Sequence, residues 1–587
     1  MDSVTSVHID FRCAEKGEVA MGSFERLLIA AILACYVSSG AYAQPRTQNG
    51  EANQQRTLSD NTGSSTLDRT IDRIIAREHE EIATLGVYEP ITETYIQVMK
   101  PDKIMGTVPM QDFYFLGKSK LSTGVTEDSM LAKRNAPPHR GSYDSRFLPE
   151  GFLMMIYVDR SGFDRQHYQF DYVGREFLGQ VRCLVFDVSP LAAPDEGRFK
   201  GRIWAEDQNY TIVRFNGRYA PIHAGFLGGG NYNGHFDSWR LSVQPGLWLP
   251  AYVFSQETDL KLDVFQHLRF KAQTRLWGYD LKNPRHQQEL SQLSVEAANL
   301  VQTPDDADLR DRSPIQAQRY WRRQAETNTL DALERAGLMA PPGEVDKVLG
   351  TVVNNIEVTN NLTIEPEISC RVLTTGTLEM FSVGHTIVLS RGLLDVLPDE
   401  ASLATMLAQE IAATIDSKRS LDQFGFSDVV RVSTTDAMTR FSFRDRRENV
   451  ETANHKALEL LRKSPYKDKL GSAGLFLKQL HEESKALSAL ISPQLGNSVY
   501  LASELMNSAL NLQPEKLDQI AALPIGGRLK IDPWSDQAEM LKTKPVSLTS
   551  SREKMPFEIT PFMPFLTRYE NSHAENKSGE EKLSRTN

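Results

Sequence analysis

The chain has 587 residues, 40% of them hydrophobic and 24% charged, which is enough apolar material for about two to four domains and excludes disorder throughout. Sixty-six Lys and Arg against 76 Asp and Glu give a net charge of −10, which leaves no electrostatic footprint for nucleic acid, so no nucleic-acid partner is expected. Only four Cys occur, and Cys13 and Cys35 fall in the N-terminal extension, so a disulfide scaffold and a Cys-rich metal site are both excluded.

Met21 opens a stretch with Arg26 as its basic element, then the apolar run Leu27 to Val37, then Ala41-Tyr42-Ala43. That order predicts a signal peptide cleaved after Ala43, and residues 1–43 as leader and signal. The run is too short for a spanning helix, which needs roughly 20 residues. The mature chain is expected in a periplasmic or extracellular space. A competing lipoprotein box at Ile32-Leu33-Ala34-Cys35 would instead acylate Cys35, the only route to membrane association that the sequence offers.

Residues 44–65 are rich in Gln, Asn, Thr, Ser and Gly and are expected to be an unstructured linker. Ile71, Ile74, Ile75, Ile82 and Leu85 then recur at helical spacing. From Tyr88 to Leu281 short alternating segments predict one antiparallel β domain, assigned to residues 66–285. Its strands include Gly151–Val158, Val181–Val188, Arg202–Glu206 and Tyr210–Phe215, the last two joined by a hairpin at Asp207-Gln208-Asn209. Gly225 to Gly234 reads as a flexible loop. Residues 286–344 are polar and helical in texture and close on Pro341-Pro342-Gly343, a breaker. A second domain over residues 345–570 carries the helix Asp399 to Ala413, which Asp399 caps and whose apolar positions predict one buried face. Further helices are expected from Ala473 to Leu490 and from Leu501 to Asn511. The Phe- and Pro-rich run Pro556 to Leu566 is expected to lie extended, and 571–587 is a polar tail.

In the N-terminal half, a helix followed by strand pairs with Gly201-Arg202-Ile203-Trp204 and Pro245 to Pro250 resembles the curved half-barrel of lipoprotein carriers of the LolA type. The resemblance implies a concave apolar face that takes up acyl chains or an extended polypeptide. An alternative is a sheet that packs on the second domain and binds nothing.

The run Thr386 to Leu394, ending Arg391-Gly392-Leu393-Leu394, followed by the helix through Gln409-Glu410-Ile411-Ala412-Ala413, resembles the zinc metallopeptidases of the HtpX and CAAX prenyl protease kind, metallopeptidase family 48. In that family the helix bears H-E-x-x-H, whose His residues bind zinc while the Glu polarises its water, and a second helix supplies a third ligand as the first residue of E-x-x-A-D. By that alignment Gln409 and Ala413 replace the two His, Val450 the ligand Glu and Asn454 the neighbouring Asp. Glu410 alone matches, as the catalytic Glu. An amide, a methyl and an isopropyl group give at best one weak oxygen ligand, so no metal and no cofactor are expected, with zinc only if other residues rebuild the site. The nearby imidazoles are His385, expected on the strand before Arg391, His455 and His481. Without a metal, Glu410 is expected to be a solvent-facing helix residue. Cys183 and Cys370 lie in β stretches with no adjacent base and are not expected to be nucleophiles.

The expected fold class is α+β, an antiparallel curved β domain followed by a mainly helical metallopeptidase-like domain. The expected function is an exported, catalytically inactive metallopeptidase-like protein that binds an envelope protein or lipoprotein client. The alternatives are an active zinc-dependent endopeptidase with an unorthodox metal site and a structural envelope protein.

Overall fold

The computed structural model describes residues 57–102, 106–122, 124–131, 149–191, 197–220, 234–261, 267–280, 314–415, 437–444, 447–499, 506 and 529–540. The signal peptide, the first part of the linker, residues 225–233 of the Gly225 to Gly234 loop, the helix expected from Leu501 except Met506, the Phe- and Pro-rich run and the C-terminal tail lie outside them. Thr66–Asn587 forms one compact unit.

Helix α1 (Thr57–Leu85) begins inside the segment expected to be linker. Lengthening a helix already nucleated by the amphipathic stretch costs only propagation, and Ser and Thr tolerate it. Ten strands follow as one antiparallel sheet: β1 (Ile91–Asp102), β2 (Gly106–Lys120), β3 (Thr126–Ser129), β4 (Tyr168–Leu178), β5 (Val181–Pro190), β6 (Phe199–Glu206), β7 (Ile212–Tyr219), β8 (His235–Gln244), β9 (Leu247–Lys261) and β10 (His267–Trp277). Their spatial order is β3-β2-β1-β10-β9-β8-β7-β6-β5-β4, so β3 and β4 are the edges. The sheet is curved, and the class is α+β as expected. The β6–β7 hairpin turns where the sequence placed it. Its tip is fastened by Glu206, whose carboxylate accepts from the backbone N–H of Gln208 and Asn209 at 2.6 and 2.8 Å.

Residues 151–158 correct the sequence expectation. They form helix α2 (Pro149–Leu153) and a single 3-10 turn, Met154–Ile156, not a strand. An eight-residue apolar run carries no period that separates a strand from a buried helical turn, and Pro149-Glu150 is a helix-start signal that decides it.

The sheet's inner face is apolar, as the alternation predicted, and other parts of the protein cover it. Ile71, Ile74 and Leu85 of α1 and Phe152, Leu153 and Met155 to Val158 share one cluster with Ile96, Phe186, Phe199, Ile203, Phe215, Phe236 and Phe270. A fully buried ion pair joins the layers: Arg240 donates to both Glu78 oxygens at 2.7 Å, and neither side chain is exposed. On the outer face Arg214 lies between Trp204 and Trp239, 4.5 and 4.4 Å from their centroids, and grips Asp237 through two hydrogen bonds.

The second half supplies helices α3 (Pro314–Arg335), α4 (Glu344–Thr359), α5 (Arg391–Val396), α6 (Glu400–Ile415), α7 (Ala437–Arg440), α8 (Arg447–Lys463), α9 (Leu470–Glu483) and α10 (Ser488–Ile491). They surround a small sheet of β11 (Ser369–Leu373), β12 (Met380–Val383) and β13 (Thr386–Ser390), in the order β11-β13-β12. Two short strands, β14 (Leu529–Ile531) and β15 (Ala538–Met540), pair with each other. Asp399 caps α6 as expected, its Oδ1 accepting from the Ser402 N–H at 2.8 Å, worth about 1 kcal/mol. α6 does not, however, bury a single face. Every residue from Ala401 to Ala412 is buried, because α4, α8, α9, β12 and β13 all pack on it. A helix surrounded on all sides needs no polar stripe.

The large sheet meets the helical layer through the odd-numbered side of β1. Ile91 and Tyr95, with Tyr114, Leu116 and Trp277, belong to the helical core cluster, whereas Ile96 and Val98 face α1. Buried polar groups fasten this contact. Glu93 accepts from Tyr114 Oη at 2.8 Å, from the Gly376 N–H and from Arg391, which also donates through Nε to Thr374 O at 2.9 Å. Asp112 accepts the backbone N–H groups of Ala489 and Leu490 at 2.8 Å each. The two conspicuous residues of Arg391-Gly392-Leu393-Leu394 thus serve this contact. Arg391 closes it, and Gly392 lies so near Gly376 that an added Cβ would sit 1.9 Å from its carbonyl oxygen.

Candidate functional site

Gln409 and Ala413 are four apart on α6, and Val450 and Asn454 four apart on α8, so each pair shares a helix face. The packing of α6 on α8 brings these residues and Glu410 around one cavity of about 380 Å³, counted with its open mouth. The five positions singled out from the sequence are therefore neighbours in space.

Their environment differs from the expectation in one respect. Glu410 is 4% exposed, not solvent-facing, because α6 is enclosed on all sides. Its Oε2 accepts the hydroxyl proton of Ser382 on β12. Gln409, also buried, donates from Nε2 to Asn454 Oδ1 at 3.1 Å. The resemblance drawn from the sequence would have these groups face a metal; in the structure they hydrogen-bond to protein groups. Zinc takes three protein ligands from imidazole, thiolate or carboxylate in a hydrolytic site. Ala413 and Val450 carry no donor atom, so this set does not fit the ion.

The imidazoles lie elsewhere. His455 is exposed on α8, its Nδ1 3.7 Å from Glu459, and His481 is exposed near the end of α9. His385 is in the tight turn between β12 and β13, not on the strand where the sequence placed it, because Gly384 at φ +59° makes the reversal there. It stands 3.9 Å from Glu326, and burial lowers its pKa. None of the three lines the cavity. Cys183 and Cys370 are buried, and burial pushes their thiols up to about 11 and about 12, which keeps them protonated and unreactive.

Sequence inspection missed the cavity's other wall, made of Met380, Asn497, Ser498 and Val499. The segment carrying the last three runs along the open edge of β12. Met380 and Asn497 form an antiparallel bridge, and Gly496 approaches Met380 so closely that a Cβ would lie 2.4 Å from its carbonyl oxygen. Glu379 anchors this segment: fully buried, it accepts from Leu495 N–H at 2.7 Å and from Thr377 Oγ1. Burial raises its pKa while these donors oppose the rise. The edge of β12 beside Glu410 is thus taken by the chain itself. No local pattern in residues 494–499 announces this, since it depends on a contact across more than a hundred positions.

No family model matches this chain, and no curated protein matches it. Among solved structures, a crystal structure of a domain assigned as an outer membrane lipoprotein-sorting protein from Vibrio parahaemolyticus aligns with 34% of this chain and 88% of its own, at 11% identity and a TM-score of 0.16. At that score the likeness supports neither a shared fold nor a shared function. Among the described residues, no helix is long and apolar enough to cross a membrane.

Proposed function

We propose that this chain is an exported metallopeptidase-like protein that works without a metal and binds a polypeptide or lipidated client in the cell envelope without cleaving it. One observation carries the proposal. The residues aligned with a zinc site surround a single cavity, yet two of them carry no donor, two are hydrogen-bonded to each other and Glu410 is engaged by Ser382. The chain's own segment along β12 adds support, because it covers the strand edge nearest Glu410. The division into an N-terminal β domain and a peptidase-like domain, and the acyl-binding role of the β domain, belong to the same proposal. An acyl chain entering the inner face would have to displace α1, which now fills it.

The test is binding of a permanently unfolded polypeptide, reduced and carboxymethylated α-lactalbumin, to the full chain. A complex containing intact lactalbumin is expected. Absence of binding, or fragments that disappear with Glu410→Gln, would overturn the proposal.

A further inference from the structure

The large sheet has two unlike edges. β3 is four residues of mostly exposed polar sequence, Thr126-Glu127-Asp128-Ser129, which is how sheet edges are ordinarily protected. β4 at the other edge is eleven residues long and largely exposed. From Gln169 to Leu178, none of its backbone groups pairs with a backbone group outside β5 among the described residues. Exposed large apolar side chains gather along it: Tyr172 44%, Val173 45% and Phe177 69% exposed, with Leu191 52% exposed just past the end of β5.

The bulge in β4 between Tyr172 and Gly174 decides how these side chains are presented. Five positions apart, Tyr172 and Phe177 would point to opposite faces of a regular strand. The extra residue resets the alternation, so Tyr172 lies opposite Phe186 and Phe177 opposite Arg182, on one face of the sheet. Arg175 lies on that face too, opposite Leu184, and is exposed without an ion-pair partner among the described residues. Asp171 and Glu176 lie on the other face, opposite Asp187 and Cys183.

We infer that β4 is a docking edge for an extended segment of another polypeptide, which adds an eleventh strand to the sheet. A row of exposed N–H and C=O groups without a backbone partner among the described residues, set between apolar side chains, is complemented by a strand and by little else. The charges favour a foreign strand over a second copy. Antiparallel self-pairing along the whole edge would set Asp171 against Glu176 twice, and like charges directly opposite are destabilising. The matching segment is apolar at alternate positions, meeting Tyr172 and Phe177, and basic on the other face, meeting Asp171 and Glu176. This inference rests on the client-binding proposal and names where such a client docks and in what conformation.

The experiment compares the full chain with the double variant Tyr172→Lys and Phe177→Lys, whose exposed positions should leave folding intact, checked by circular dichroism. The probe is a fluorescent peptide alternating leucine and lysine; a peptide of the same composition with helical spacing is the control. The parent should bind the alternating peptide in preference to the control, and the variant should bind it about tenfold more weakly. Phe177→Leu should retain binding. A photo-crosslinking side chain at position 177, and not at position 126 on β3, should capture the peptide. Equal binding by parent and double variant, equal binding of both peptides, or a parent dimer that the variant abolishes would each overturn the inference. Carboxymethylated lactalbumin separates the two proposals. Retention by parent and variant alike sinks the docking edge but leaves client binding standing, whereas no retention by the parent sinks both.

Discussion

Arg391→Met removes the cation from a contact in which Arg391 is 1% exposed and Glu93 4% exposed. The carboxylate keeps Tyr114 and the Gly376 N–H as donors but loses its counter-charge, and Thr374 O loses the Nε donor. Breaking a buried pair costs about 3–5 kcal/mol, and the orphaned carbonyl adds about 1 kcal/mol. Arg391→Met is therefore expected to cost about 4–6 kcal/mol, a large part of the roughly 5–15 kcal/mol that stabilises an ordinary domain. Glu93→Gln should cost about 3 kcal/mol, because it strands the guanidinium instead. The double variant should be less damaged than the sum by about 2 kcal/mol, since neither charge is left without its partner. Urea unfolding, followed by far-UV dichroism and by tryptophan fluorescence, to which Trp277 at the same contact contributes, measures the cycle. Losses under about 1 kcal/mol for both single variants, or strict additivity, would show that the large sheet and the helical layer are not held together by this pair.

Burial pushes the Glu81 carboxyl from 4.5 up to about 7, against the opposing pull of Arg240. Between those values the folded chain holds a proton that the unfolded chain has released, so stability falls as pH rises through this window and is level above it. The loss is about 3 kcal/mol at about 1.4 kcal/mol per pH unit. Glu81→Gln should abolish this part of the slope, seen as a smaller difference in urea midpoint between pH 5 and pH 8 than in the parent. An unchanged slope would mean that Glu81 is not titrating in the folded protein. Gln409→His, Ala413→His and Val450→Glu together should create zinc affinity, because the three positions already surround one cavity. Isothermal titration should detect one zinc per chain in the variant; no binding would show that the alignment with metallopeptidase positions is wrong.

Short-range patterns carried much of the architecture. Period-two alternation announced most of the large sheet, and the four-residue spacing of Gln409 and Ala413, and of Val450 and Asn454, put each pair on one helix face; that the two faces meet came from the packing of α6 on α8. The failures have specific causes. Residues 151–158 are apolar throughout, so their pattern was blind to the difference between a strand and a buried turn. Glu410 was expected in solvent because a helix was assumed to have one wet side, and α6 has almost none. Ser382, Asn497 and the Glu93–Arg391 contact lie far apart in sequence from the groups they meet. Only the tertiary packing joins Glu93 to a partner 298 positions away.

The most direct test of a metal-free, non-hydrolytic site is to measure the zinc content of the full chain, purified without chelator, while following the fate of carboxymethylated lactalbumin by mass spectrometry. Zinc far below one per chain, with lactalbumin bound and intact even after zinc is added, is the predicted result. One zinc per chain together with cleavage that Glu410→Gln abolishes would contradict it.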